Sequence, residues 1–155
     1  MKILIIGSDG YLGWPTAMHF SQRGYEVTVV DNYLRRRNCQ DLNISMLYQV
    51  PALVERVKKW YELTGKEIKV IIGDLKEPEV MRSLFNGLVN YSWCINQDFT
   101  GAPETVIHFA EQPSAPFSMI DYRQANSTIQ NNSISNSCTS SYVYDMLTFF
   151  NFSNC

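Results

Sequence analysis

The sequence has 155 residues, which is enough for one domain with a buried hydrophobic core. With 13 basic and 15 acidic side chains, the formal net charge is −2, so charge gives no argument for binding to nucleic acid or to an anionic membrane. No apolar run approaches the roughly 20 residues that span a bilayer, and the first strand begins so early that a signal or transit peptide is not expected.

Short apolar runs alternate with segments of helical periodicity along the first part of the chain. Four runs predict strands, at 2–6, 26–30, 68–72 and 105–110, and the segments between them predict helices at about 10–23, 50–63 and 79–88. Gly24 and Gly65 stand where the first two helices would stop. Alternating strands and helices predict an α/β fold of the Rossmann type, a doubly wound parallel sheet with strand order 3-2-1-4.

Three segments depart from this alternation. Residues 32–49 are predicted to be a long connection, in which the basic run Arg35–Arg37 would be a solvated loop. Residues 90–103 interrupt a connection that is usually short. Residues 126–155 are rich in Ser, Asn and Thr, a composition that disfavours helix. We therefore expect one folded unit over 1–125 and an atypical tail over 126–155.

Three glycines follow the first predicted strand at intervals of three residues. Gly7 would allow a tight turn, Gly10 would let the backbone approach a pyrophosphate, and Gly13 would let the following helix pack closely on the strand. The positive end of that helix would then hold the phosphate charge. The pattern predicts a dinucleotide-binding site.

Two acidic residues follow later predicted strands. Asp31 ends the second strand, at the offset expected for the acid that binds the adenosine ribose, and a carboxylate there favours NAD over NADP. The alternative is that Arg35–Arg37 bind the 2′-phosphate of NADP. Asp74 would lie near the adenine at the carboxyl edge of the sheet, or it would be a helix N-cap.

Three segments resemble the UDP-sulfoquinovose synthases, a branch of the extended short-chain dehydrogenase family that also includes nucleotide-sugar epimerases and dehydratases. They are Gly-Ser-Asp-Gly-Tyr-Leu-Gly-Trp at 7–14, Asp-Asn-Tyr-Leu-Arg-Arg at 31–36, and the run from His108 to Asp121 with Glu-Gln-Pro-Ser-Ala-Pro at its centre. The resemblance covers about residues 2–89 and 104–132. It implies an N-terminal, NAD-binding portion of such an enzyme.

The family uses tightly held NAD to oxidise the C4 hydroxyl of the glucose in UDP-glucose. Water is then eliminated across C5–C6, sulfite adds to the alkene, and the hydride returns to give UDP-sulfoquinovose, the head-group donor of sulfolipid. The resemblance therefore implies NAD as cofactor, UDP-glucose and sulfite as substrates, and a cytoplasmic or plastid stromal location. A homodimer is among the assemblies that it allows.

The resemblance also implies site residues by their position. The NAD contacts would be Gly7, Asp9, Gly10, Tyr11, Leu12, Gly13, Asp31, Asn32, Arg36, Asp74 and Leu75 around the adenosine and pyrophosphate, and Phe109, Ala110 and Glu111 towards the nicotinamide. Gln112, Ser114 and Arg123 would face the sugar nucleotide. Structural alternatives remain open: His108 as a hydrogen-bonded histidine at a strand end, and Phe109 and Phe117 as core residues.

The catalytic pair of this superfamily is not found in the sequence. It is a tyrosine base with a lysine four residues later, but no tyrosine here has that lysine, and no lysine follows Lys76. We therefore name no catalytic residue, and we expect the chain to stop before the catalytic half and to be inactive alone.

Two other functions stay open: a non-catalytic dinucleotide-binding remnant, and another NAD-dependent sugar-nucleotide epimerase or dehydratase. Our hypothesis is that the tail at 126–155, and with it the insert at 90–103, results from a sequence or splicing artefact. The alternative for the tail is that it is disordered. The four cysteines include no Cys-x-x-Cys pair, so no metal site is indicated.

Overall fold

The computed structural model describes residues 1–45, 48–86 and 102–110. In these ranges the elements are β1 (Lys2–Ile6), α1 (Gly13–Gln22), β2 (Glu26–Asp31), α2 (Leu34–Asp41), α3 (Leu53–Thr64), β3 (Ile68–Ile72), α4 (Pro78–Asn86) and β4 (Thr105–His108). All four predicted strands and all three predicted helices are therefore confirmed. The predicted insert at 90–103 lies almost entirely outside the described residues, and the tail at 126–155 lies entirely outside them.

The four strands form a parallel sheet with the order β3-β2-β1-β4, as the sequence predicts. In the centre, Ile6 of β1 is aligned with Val30 of β2 on one side and with His108 of β4 on the other. The chain crosses from one side of β1 to the other between β3 and β4. Ligands of doubly wound folds bind at this kind of switch point, beyond the carboxyl ends of the strands.

Both faces of the sheet are covered by helices, which explains why the strands are almost continuously apolar. On one face, α1 and α3 contribute Ala17 and Leu53 to a core with Ile3, Ile5, Val27, Val29, Ile68, Val70 and Ile107. On the other face, α4 contributes Val80 and Leu84 to a core with Leu4, Ile6, Val30 and Ile71. The sheet is therefore doubly wound.

The prediction that residues 32–49 form a connection without a helix is wrong. Residues 34–41 form α2, and the run Arg35–Arg37 belongs to this helix rather than to a solvated loop. Leucine and arginine favour helix, but no residue of α2 is fully buried, so the segment has no apolar stripe that would reveal it.

Smaller differences concern the ends of elements: α3 begins at Leu53 rather than near residue 50, and β4 ends at His108 rather than at residue 110. Helix α1 begins at Gly13 rather than near residue 10, because residues 10–12 still belong to the preceding turn. Gly24 and Gly65 follow the last turns of α1 and α3 with φ of 85° and 68°, which confirms them as helix stops.

Candidate functional site

The turn after β1 passes directly over the end of β4. The backbone amides of Gly7 and Ser8 both donate to the carbonyl of Val30, at 2.9 and 3.2 Å. Gly7 has φ of 80°, and a Cβ atom on it would lie 2.6 Å from both the nitrogen of Ala110 and the carbonyl carbon of Phe109. This position therefore requires glycine for its conformation and for the lack of space.

The other two glycines shape the start of α1. A Cβ atom on Gly13 would lie 2.5 Å from the carbonyl oxygen of Gly7, so the helix packs directly on the turn, in agreement with the predicted packing role. A Cβ atom on Gly10 would meet only that same oxygen, at 3.3 Å, with otherwise open space around it. The approach of a ligand to Gly10 stays a prediction, for which this position leaves room.

The N-terminal end of α1 offers unused hydrogen-bond donors. In the described part of the chain, the backbone amides of Gly10, Tyr11 and Leu12 donate to no acceptor, and the first turn of the helix carries no acidic residue. Tyr11 is 79% exposed. Free amides at the positive end of a helix are a favourable arrangement for an anion such as a phosphate group.

Asp31 ends β2 with both carboxylate oxygens directed towards backbone amides. Its Oδ2 accepts a hydrogen bond of 2.7 Å from the amide of Asp9, and its Oδ1 accepts one of 2.8 Å from the amide of Tyr33. Burial raises the pKa of Asp31, although the two amide hydrogen bonds oppose the increase. Since each oxygen can accept further hydrogen bonds, the carboxylate is held in place and can still receive hydroxyl groups.

Asn32 and Asp74 connect the ends of β2 and β3 beside this carboxylate. Asn32 Nδ2 donates to Asp74 Oδ2 at 3.1 Å, and Asp74 Oδ1 accepts from the amide of Lys76 at 3.0 Å. Because α4 begins only at Pro78, the alternative that Asp74 is its N-cap is wrong. Asp74 thus closes a turn after β3, and its hydrogen bond with Asn32 holds it at the same edge of the sheet as Asp31.

A buried ion cluster fixes the glycine-rich turn to the segments that follow β2. It consists of Asp9, Arg36 and Arg56, and we call it the Asp9 cluster. Arg36 donates from Nε to Asp9 Oδ2 at 2.7 Å and from Nη2 to Oδ1 at 2.8 Å, and Arg56 Nη2 donates to the same Oδ1. The side chain of Asp9 is only 4% exposed. Pairing with Asp9 raises the pKa of Arg36, whereas burial lowers the pKa of Arg56.

Backbone and aromatic groups complete the surroundings of the two arginines. Arg36 also donates to the carbonyls of Val50 and Pro51, at 2.8 and 2.9 Å. The Arg56 guanidinium lies over the ring of Trp14, 5.1 Å from its centroid. Both guanidinium groups are thus held between α1, α2 and the start of α3.

Sequence reasoning assigned Asp9 and Arg36 to the site but did not find Arg56. A signal for Arg56 exists in the sequence, because it lies three residues after Leu53 and four before Trp60, within the apolar stripe of α3. A charged residue on the buried side of a helix needs a partner. The sequence alone did not indicate that Asp9 is this partner.

The remaining predicted residues pack against the core, lie at the end of β4, or fall outside the residues that the structure describes. Leu75 and Ala110 pack against the core on the α4 side, and Phe109 packs against the core on the α1 and α3 side. Their contacts with NAD stay a prediction. His108 is half-buried at the end of β4. The described ranges do not include Glu111, Gln112, Ser114, Phe117 and Arg123.

The geometry therefore joins two kinds of recognition at one edge of the sheet: free amides at a glycine-rich helix start and an anchored carboxylate at the end of the neighbouring strand. These groups fit a diphosphate and a pair of vicinal hydroxyls, respectively.

In residues 1–45, 48–86 and 102–110, no group of three His, Cys, Asp or Glu side chains could hold a metal ion. Within the same ranges, no helix has the length and apolar character that crossing a bilayer requires.

Comparison with known sequences confirms the resemblance to the N-terminal portion of UDP-sulfoquinovose synthases. The chloroplastic UDP-sulfoquinovose synthase of Spinacia oleracea is 38% identical over 133 residues, which are 86% of this chain and 25% of that protein. The UDP-sulfoquinovose synthase of Sulfolobus acidocaldarius is 35% identical over 135 residues, which are 87% of this chain and 31% of that protein. The chain thus spans about a quarter to a third of the length of these relatives.

More distant similarities point to UDP-glucose 4-epimerases. The enzyme of Klebsiella pneumoniae is 29% identical over 110 residues, which are 71% of this chain and 58% of that protein. Among solved structures, the UDP-glucose 4-epimerase of Stenotrophomonas maltophila with bound NAD and formylated UDP-arabinopyranose superposes with a TM-score of 0.60 at 20% identity. That alignment covers 90% of this chain and 33% of the epimerase, and it supports the Rossmann fold. No protein-family model matches the chain.

Proposed function

We propose that this chain is the NAD-binding portion of a nucleotide-sugar enzyme that converts UDP-glucose and sulfite into UDP-sulfoquinovose. The observation that carries the proposal is the Asp31 carboxylate, which two backbone amides hold at the end of β2 beside the glycine-rich turn. The similarity to the spinach and Sulfolobus acidocaldarius synthases supports the choice of this enzyme over other nucleotide-sugar enzymes.

The residues of the turn and of β2 fit the adenosine diphosphate half of NAD. Asp31 would accept hydrogen bonds from the ribose hydroxyls, and the free amides of residues 10–12 would donate to the pyrophosphate. Gly10 has open space where a side chain would otherwise stand between the backbone and the ligand. When bound, NAD supplies the acceptor for the hydride that leaves the sugar. We keep Glu111 on the nicotinamide side and Gln112, Ser114 and Arg123 on the sugar-nucleotide side as part of the proposal.

We propose further that this chain does not carry out the oxidation alone. The hydroxyl proton must be accepted as the hydride leaves, and the sequence contains no tyrosine with a lysine four residues later. The spinach relative is chloroplastic, and a plastid stromal or cytoplasmic location belongs to the same proposal.

The test is calorimetric titration of the purified chain with NAD and with NADP, together with an Asp31→Ala variant. We expect weak, saturable binding of NAD, weaker binding of NADP, and loss of NAD binding in the variant. Tight binding of NADP without NAD would contradict our assignment of Asp31. No binding of either dinucleotide would overturn the proposed function.

A second experiment addresses catalysis. The chain is incubated with NAD and UDP-glucose, with and without sulfite, and the nucleotide sugars are separated by chromatography. We expect no product from this chain alone, and turnover of UDP-glucose would overturn that part of the proposal. In a longer form of the protein that includes a Tyr-x-x-x-Lys pair, sulfite-dependent product would support a synthase, and sulfite-independent epimerisation would indicate an epimerase.

A non-catalytic dinucleotide-binding protein is the second candidate. It is favoured by one observation, the absence of any lysine after Lys76. NAD binding by this chain is expected under both candidates, whereas sulfite-dependent turnover by a longer form is expected only under the first.

A further inference from the structure

We propose that Asp9 determines the specificity of the site for NAD over NADP, by offsetting one of the two positive charges of Arg36 and Arg56 and by occupying their donors next to the carboxylate of Asp31. The inference rests on the proposed function, since it concerns how the proposed NAD site rejects a 2′-phosphate. It assigns this task to a residue of the glycine-rich turn, in addition to the acid at the end of β2.

Asp9 connects the two parts of the site directly. Its backbone amide donates to Asp31 Oδ2 at 2.7 Å, and its own carboxylate receives Arg36 and Arg56. The guanidinium groups are therefore attached, through a single residue, to the carboxylate that is proposed to bind the ribose. We expect their charge to act on a 2′-phosphate bound beside Asp31, because the cluster is largely buried and weakly screened.

The donors of Arg36 are already committed to the protein. Four hydrogen bonds leave this side chain, two to Asp9 and one each to the carbonyls of Val50 and Pro51. A guanidinium group has five N–H donors, and recognition of a phosphate normally uses two parallel ones. Arg36 thus cannot offer a free fork to a 2′-phosphate, whereas Arg35 and Arg37, the other two arginines to which the sequence allowed this role, are exposed.

The formal charges of Asp9, Asp31, Arg36 and Arg56 sum to zero, and the two further charges beside Asp31, those of Arg35 and Asp74, also cancel each other. Arg36 and Arg56 carry two positive charges, and Asp9 and Asp31 carry two negative ones. A 2′-phosphate would add close to two more negative charges without a partner, whereas the ribose hydroxyls of NAD add none. Loss of the Asp9 charge would leave an excess positive charge beside Asp31. It would also weaken the hydrogen bonds that occupy donors of Arg36 and Arg56, so these donors would become available to a phosphate.

The test is the ratio of the dissociation constants for NADP and NAD, measured by calorimetry at low salt in an Asp9→Asn variant. We expect the ratio to fall by about tenfold, the size of effect that one uncompensated charge near the ligand produces, and the change to shrink in high salt. A purely structural role of Asp9 would weaken both dinucleotides equally. An unchanged ratio would therefore overturn the inference.

Two further variants complete the design. Arg36→Gln removes a positive charge from the same cluster, so it should raise the ratio, and it provides the decisive measurement if Asp9→Asn does not fold. An unchanged or lower ratio in Arg36→Gln would contradict the inference. Asp41→Asn is the matched control, because it removes an exposed carboxylate at the end of α2, and its ratio should stay within about twofold of the unchanged chain. If the unchanged chain does not bind NAD at all, the proposed function rather than this inference is overturned.

Discussion

Position 7 requires glycine for two separate steric reasons, its backbone conformation and the lack of space for a Cβ atom. Its φ of 80° lies in the region that residues with a side chain rarely adopt, and its missing Cβ leaves room for the backbone at Phe109 and Ala110. Gly24 has a similar φ of 85°, but a Cβ there would meet no atom within 4 Å. The two glycines therefore allow conformational strain to be separated from collision with the end of β4.

Gly7→Ala is expected to lower the free energy of unfolding by about 3 kcal/mol, from left-handed strain of about 1–2 kcal/mol and overpacking of similar size. Gly24→Ala, the control, should cost only about 1 kcal/mol because it pays for strain alone. Urea unfolding followed by circular dichroism measures both. Equal losses in the two variants would show that the contact with β4 has no energetic weight.

Asp31 makes the stability of the fold depend on pH. Burial raises its pKa in the folded chain above the value of about 3.9 in the unfolded chain. Between these two values the unfolded state has already released the proton that the folded state keeps, so stability falls as pH rises through this window and then levels off.

Asp31→Asn should remove this contribution. The free energy of unfolding of the unchanged chain, taken relative to the variant, is expected to decrease from pH 4 upwards until the folded pKa is passed. Urea unfolding at a series of pH values gives this difference. A difference that does not vary with pH, or one that increases, would contradict the raised pKa.

Among the elements, α3 receives its N-terminal support from a residue of the preceding segment. The hydroxyl oxygen of Tyr33 accepts a hydrogen bond of 3.0 Å from the amide of Leu53, the first residue of α3, while Glu55 accepts one of 3.0 Å from the amide of Ala52. Tyr33 itself precedes α2 with φ of 56°. One side chain thus fixes the start of α3 relative to the start of α2.

Tyr33→Phe is expected to lower the free energy of unfolding by about 1 kcal/mol, because the amide of Leu53 loses its acceptor while the ring is kept. Tyr48→Phe is the matched control, since Tyr48 is 76% exposed and should change stability by less than about 0.5 kcal/mol. Thermal unfolding of the two variants under the same conditions decides the matter, and equal midpoints would count against a supporting role of the hydroxyl.

The sequence was sufficient for elements that are defined by buried apolar faces. The four strands and the helices α1, α3 and α4 lie against the sheet, so their hydrophobic periodicity predicted them. It was insufficient for α2, whose residues are not fully buried, and for the Asp9 cluster, whose partners are separated by 20 residues or more. Pairing of charges that are distant in sequence leaves no periodic signal, and only the fold brings Asp9, Arg36 and Arg56 together.

At the scale of the whole molecule, the candidate site belongs to the sheet rather than to any one segment. The turn after β1, the end of β2 and the residues after β4 meet where the strand order changes direction. A ligand that binds there contacts segments that are held together only in the folded sheet. Binding should therefore stabilise the fold as a whole.

NAD at a concentration ten times its dissociation constant is expected to increase the free energy of unfolding by about 1.4 kcal/mol. For a chain of 155 residues this corresponds to an increase of about 3–6 °C in the thermal midpoint. Differential scanning fluorimetry over a series of NAD concentrations measures the effect, and NADP at the same concentrations is the comparison. A midpoint that does not respond to NAD, or that responds more to NADP, would contradict the proposed cofactor.

The central position of β1 has a consequence for the order of events during synthesis. β1 is made before both of its partners; it pairs with β2 through residues such as Ile3 and Val27, but its other neighbour contributes Thr105 opposite Ile3. At about 5–20 residues per second, the ribosome needs roughly 5–20 s to bridge that separation. During this interval one side of the central strand lacks its native partner, so a nascent chain halted before β4 is a candidate client for chaperones that recognise unpaired apolar strands.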